Sequence, residues 1–156
     1  MTYRFAPRFS KTCLVLGIAL SLAAQIASTQ SAAAASLKVD VQNIAQPKGT
    51  LMVAIFNSQD GFSKNEAVQG QRIAVKGNKM AIRFEDLPSG IYAIKMFQDV
   101  NDNGQLDMQD GAVPTEPFGF SNDAPAIHGP ASWSDARFAV HDGQNRQTVH
   151  LKTLSF

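Results

Sequence analysis

The chain has 156 residues, with 14 lysines and arginines against 13 aspartates and glutamates, 44% hydrophobic residues and a single cysteine. That near-neutral balance excludes the strongly basic surface on which nucleic-acid binders depend. All 13 acidic residues but only 11 of the basic ones follow residue 35, and Cys13 precedes it, so the later chain is mildly acidic and can form no internal disulfide.

The first 35 residues read as a targeting segment. Arg4, Arg8 and Lys11 give a positive start, Cys13 to Ala27 is almost wholly apolar, and four alanines at 32 to 35 offer small residues for cleavage before Ser36. A run of this length could also serve as an uncleaved anchor, but the polar S-T-Q-S step and the alanine cluster fit processing. No twin-arginine pair occurs, so the general secretory route is expected, with the mature chain in the periplasm or outside the cell and not inserted in a membrane. Cys13 opens the apolar run instead of closing it, so it is badly placed to carry a lipid.

Residues 36–156 then suit one domain. L-K-V-D-V-Q-N-I at 37 to 44 alternates apolar and polar residues, and T-L-M-V-A-I-F-N at 50 to 57 is apolar on both faces. F-S-K-N-E-A at 62 to 67 allows one helical turn. R-I-A-V at 72 to 75 and M-A-I-R-F at 80 to 84 flank K-G-N-K, which predicts a hairpin with positive φ available to glycine and asparagine. After L-P-S-G comes the run I-Y-A-I-K-M-F at 91 to 97, and near the end A-R-F-A-V is expected to pair with Q-T-V-H-L across D-G-Q-N. About seven short strands with regular turn signals predict an all-β antiparallel sandwich, immunoglobulin-like or transthyretin-like, with one long ordered loop at 98 to 135.

That loop opens on D-V-N-D-N-G-Q-L-D-M-Q-D, residues 99 to 110. Counted as a calcium loop, it places Asp99 first, Asn101 third, Asn103 fifth, Gly104 sixth, Gln105 seventh, Asp107 ninth and Asp110 twelfth. The early side chains must converge on one ion, the sixth residue must turn sharply, and the seventh supplies its backbone carbonyl. The pattern is complete except that aspartate stands where glutamate usually closes the loop, and a strand precedes it in place of a helix. With two asparagines among the ligands, the expected site is structural and weak, on the order of 10⁻⁴ to 10⁻³ M for Ca²⁺. The alternative is a solvated turn whose Asx side chains bond their own backbone.

P-T-E-P-F-G-F-S-N at 114 to 122 follows. Phe118 and Phe120 stand two apart, which in extended chain turns them the same way. They could form a ligand platform with Glu116 and Trp133, or cover the end of the sandwich while Glu116 accepts loop amides. Ser132 and Asp135 suit a cap on one helical turn. His141 and His150 fall about 10 Å or more apart on the expected hairpin, too far to share a zinc, and His128 beside Gly129 and Pro130 reads as an exposed loop residue.

The run L-P-S-G-I-Y-A-I-K-M-F-Q-D-V-N-D-N-G-Q-L-D, with P-T-E-P-F-G-F-S-N after it, resembles the bacterial secreted family known as domain of unknown function 2141. Gly90 and Tyr92, Asp99 to Asp107, Pro114 to Ser121 and Trp133 to Ala136 meet its pattern, while Gln98 stands where histidine is common. The resemblance implies export and a β-fold and brings no activity with it. The expectation is therefore a secreted, calcium-stabilised binding or envelope-associated accessory module with no assigned catalytic residue. A small-ligand binder using the aromatic loop is the alternative, and a hydrolase with Glu116 or His128 as base ranks below it.

Overall fold

Strand β1 (Ala35–Gln42) shows how the fold is built: Ala35, Leu37, Val39 and Val41 are fully buried, while the residues between them face outward. Period-two alternation of this kind belongs to a strand with one face on a core. The computed structural model describes residues 34–127 and 129–154; the rest of the expected signal peptide and His128 lie outside the described residues. The order continues with β2 (Thr50–Phe56), helix α1 (Gln59–Lys64), β3 (Gln69–Ala74), β4 (Met80–Leu87), β5 (Gly90–Asp99), β6 (Met108–Gln109), β7 (Val113–Pro114) and β8 (Phe118–Phe120). A 3-10 turn at Ser121–Asp123, helix α2 (Trp133–Ala136), β9 (Phe138–Val140) and β10 (Gln144–His150) complete it.

Two sheets face each other as a sandwich. One has the order β10-β1-β4, and the other runs β3-β2-β5-β8 with β9 beside the start of β5. Between them lies a core that includes Leu37, Leu51, Ile55, Phe84, Ile94 and Val149. A second cluster, with Phe56, Phe62, Phe118 and Phe120 at its centre, covers the outer face of the larger sheet beneath α1 and α2. The sandwich is fastened along both sides. Gln69 and Gln71 donate from β3 to the Glu85 and Arg83 carbonyls of β4 at 3.3 and 2.7 Å, and Phe118 and Lys152 exchange backbone bonds at 2.9 and 2.8 Å.

Two expected hairpins do not form. K-G-N-K carries the chain from one sheet to the other, because β3 pairs with β2 and β4 with β1; neither Gly77 nor Asn78 takes a positive φ. A-R-F-A-V and Q-T-V-H-L also part company: β9 pairs with Gly90 to Tyr92 of β5, while β10 runs parallel to β1. Asn145 holds that corner, accepting from the His141 amide at 2.9 Å and donating to its carbonyl at 2.6 Å. The gain is that β1, whose inward side chains are all buried, acquires a partner on each edge. His150 consequently lies opposite Gln42 of β1.

The helical turn expected at 62 to 67 begins earlier, at Gln59, because Ser58 caps it by accepting from the Gly61 amide at 3.1 Å. It stops at Asn65, which adopts the left-handed conformation. α2 starts as expected on Ser132, whose hydroxyl accepts from the Asp135 amide at 3.2 Å.

Gln98 joins this fold to the loop beyond it. Fully buried, it donates both amide hydrogens, to the Gln46 carbonyl at 2.8 Å and the Lys48 carbonyl at 2.7 Å, and so fixes the β1–β2 connection against the end of β5. A neutral imidazole has one N–H and could serve only one of these acceptors. Gln98→Leu should therefore lower stability by about 1–3 kcal/mol for each carbonyl left unpaired, and Gln98→His by less, as read from urea denaturation midpoints.

Candidate functional site

The acidic loop leaves β5 at a crowded place. Gly49, at φ 72°, passes so close that a Cβ on it would stand 2.0 Å from the Asp99 carbonyl oxygen, so only glycine fits there. Asp99 is itself fully buried. Its two carboxylate oxygens accept the Asn103 amide at 3.0 Å and the Gly104 amide at 2.7 Å, closing the loop over its own first residue. Gly104 turns the chain at φ 82°, the sharp sixth position that the spacing demanded.

The other oxygens gather around this turn. Asn101 and Asn103 each accept a backbone amide two residues on, at 3.1 and 2.8 Å, and each donates its NH₂ to Asp107, at 2.7 and 2.8 Å. Asp102 accepts from the Thr50 hydroxyl at 2.7 Å, tying the loop to β2. The structure thus brings Asp99, Asn101, Asn103 and Asp107 into one hydrogen-bonded unit. Gln105 contributes its backbone amide to that unit, bonded to Asn103. Asp110 is not drawn in: it sits exposed at φ 51° in the turn between β6 and β7. Among the described residues no three His, Cys, Asp or Glu side chains form a group able to hold a metal.

Glu116 stands where the loop returns. It is 5% exposed, and its oxygens accept the Val100 amide at 2.7 Å and the Asp107 amide at 3.1 Å. One carboxylate therefore grips the loop at both its second and its ninth positions.

Beyond Glu116 the aromatic residues pack on one another. Phe118 and Phe120 lie 6.0 Å apart between ring centres, Phe62 lies 5.7 Å from Trp133, and Phe56 lies 5.4 Å from Phe62. Lys95, the one charged residue in the apolar run of β5, extends into this cluster with its ammonium 4.2 Å from the Phe62 ring centre. It donates to the Phe62 carbonyl at 2.6 Å and the Asn65 side-chain oxygen at 2.7 Å. Burial holds its pKa below the ordinary lysine value. Ser121 is fully buried at the gap between β8 and β9, accepting from the Ile94 amide at 2.9 Å and donating to the Ala136 carbonyl at 2.5 Å.

A histidine–carboxylate pair also occurs. Asp123, at φ 50°, accepts from the His150 amide at 2.8 Å and meets His150 Nδ1 at 2.6 Å. Sequence reading missed this pair because it placed His150 in a hairpin that does not exist. Two surface cavities, one around Asp40, Lys79 and Arg146 and the other around Val68, Pro88 and Ile91, are lined by neither this pair nor Glu116, Phe118, Phe120 or Trp133.

These features define an all-β sandwich that carries, at the end of a central strand, a glycine-turned loop organised by two buried carboxylates. The chain belongs to the bacterial family described as uncharacterised protein conserved in bacteria, domain of unknown function 2141, which matches residues 39–148. No curated protein and no solved structure matches it.

Glu116→Ala should orphan two amides, at about 1–3 kcal/mol each. Hydrogen exchange at Val100 and Asp107 should accelerate, whereas the amides of β1 keep their protection; unchanged exchange at both positions would show that Glu116 does not hold the loop.

Proposed function

We propose that this chain is an exported, envelope-associated or extracellular binding or accessory module whose Asp99–Asp110 loop is stabilised by calcium. The observation that carries the calcium reading is the convergence of Asp99, Asn101, Asn103 and Asp107 around one turn. An ionised carboxylate offers about four acceptor sites, and Asp99 uses two of them on amides, so each oxygen keeps capacity for a cation. Binding would replace the two asparagine–Asp107 bonds by oxygens on the ion, with the Gln105 carbonyl and water completing the shell. With Asp110 outside the unit, affinity falls at the weak end, on the order of 10⁻³ M.

Calcium that binds the folded chain alone stabilises it by RT ln(1 + [L]/Kd), about 1.4 kcal/mol at ten times Kd. The melting temperature of the mature domain should rise by several degrees in millimolar-range calcium and much less in magnesium. Asp107→Asn should remove the response while leaving the Asp99 and Glu116 clamps in place. A melting curve indifferent to calcium in the unmutated protein would reduce the loop to a self-bonded turn.

Export rests on the positive start, the apolar run and the alanine cluster. Ala35 is fully buried and pairs with Leu87 of β4, so cleavage after Ala34, which keeps Ala35 in β1, suits the strand better than cleavage directly before Ser36. N-terminal sequencing of the exported protein should begin at Ala35 or within the alanines just before it. Exported protein still starting at Met1 would contradict processing.

A further inference from the structure

Strand β2 ends before its neighbour β5 does. On β5 the even-numbered amides face β8 and β9: Gln98 donates to the Pro117 carbonyl at 2.8 Å and Ile94 to the Ser121 hydroxyl at 2.9 Å. Alternation turns the odd-numbered residues toward β2, and the last of these with a β2 partner is Ala93, opposite Phe56. β5 reaches back to Gly90, but at Asn57 the chain leaves the sheet and enters α1 at Ser58. Ile91 therefore points its N–H and C=O into a strand position that β2 does not fill.

The position is open and apolar at its sides. A cavity of about 460 Å³ lies there, lined by Asn57, Val68, Leu87, Pro88, Ile91 and Tyr92 among others. Val68 and Ile91, 45% and 44% exposed, are two of the four large hydrophobic residues left exposed among the described residues. Both stand on the outer face of the sheet, Ile91 in phase with Ala93 and Phe97, and Val68 opposite in phase to Gln69 and Gln71, which reach toward β4. Both line this cavity.

We propose that this slot binds an extended segment of another polypeptide by strand addition, one residue pairing its backbone with Ile91 and setting an apolar side chain between Val68 and Ile91. A donor and an acceptor on one strand residue match the acceptor and donor of an incoming peptide bond, and flanking pockets select the side chain. Gly90, exposed and without a side chain, leaves the approach clear. The proposal names the partner class of the binding module proposed above and does not depend on calcium.

The test is selection of peptides from a displayed random heptapeptide library on the mature domain, in calcium and again in a chelator. Selected peptides, synthesised and titrated, are expected to centre on an apolar residue, shift the Ile91 amide resonance and protect that amide from exchange. Val68→Lys and Ile91→Lys, both at exposed positions, should weaken binding by about tenfold or more, while Met108→Lys, at an exposed hydrophobic position elsewhere, should not. No enrichment, equal binding to all variants, or an Ile91 shift that grows with protein concentration alone would overturn the proposal, the last by assigning the slot to a second copy. Peptide binding that survives while the calcium response is absent would overturn the calcium loop and leave the slot standing.

Discussion

Two buried carboxylates at the end of β5 set the terms for half of the molecule. Asp99 and Glu116 together accept four backbone amides, those of Val100, Asn103, Gly104 and Asp107. A buried carboxylate is costly unless it is well hydrogen-bonded, so neither can be released without disordering the segment the other holds. The chain between them leaves β5 at one carboxylate and returns through the other to form β8. That return places Phe118 and Phe120 on the outer face of the sheet, and with them the cluster over which α1 and α2 close.

Lys95 performs a related task on the same face. Its ammonium is partly desolvated and meets no carboxylate among the described residues, and its compensation comes from one carbonyl, one side-chain amide oxygen and the faces of Phe56 and Phe62. Both oxygens belong to the end of α1, a helix of six residues that is too short to persist by itself. The lysine thus converts a marginal turn into a fixed lid over the aromatic cluster. Replacing it with an apolar residue of similar length would relieve the desolvation but leave the last turn of α1 without its anchor.

Much of this was legible beforehand, and the failures share a cause. Alternation identified β1, the apolar run at 91 to 97 identified β5, the glycine spacing located the turn at Gly104, and Ser132 with Asp135 marked α2, because each of these signals is local. Partner choice is not local. K-G-N-K and D-G-Q-N have the composition of hairpin turns, yet the strands they join seek different sheets, since pairing is decided by which edge of β1 or β2 stands open. The same limit hid the Asp123–His150 pair and the use of Ser121 to fill the gap between β8 and β9. Lys95 alone offered a readable sign, being a lone charge within an otherwise apolar strand. Asp110 shows the converse: its spacing fits the twelfth position of a calcium loop, but the two-residue strands β6 and β7 carry it out to a separate turn.

The parallel pairing of β1 with β10 has a consequence for how the molecule is assembled. The first strand of the described domain finds one of its two edge partners only in residues 144–150. A chain made from its amino terminus therefore exposes one edge of this strand until residues 144–150 have emerged. Loop closure over such a distance makes folding slow, and an unpaired strand edge invites wrong partners while it waits. Lys38 and Asp40 on the outward face of β1 make that delay safer, since charges on an open strand discourage edge-to-edge association, and Asp40 acquires its Arg146 partner only when β10 arrives.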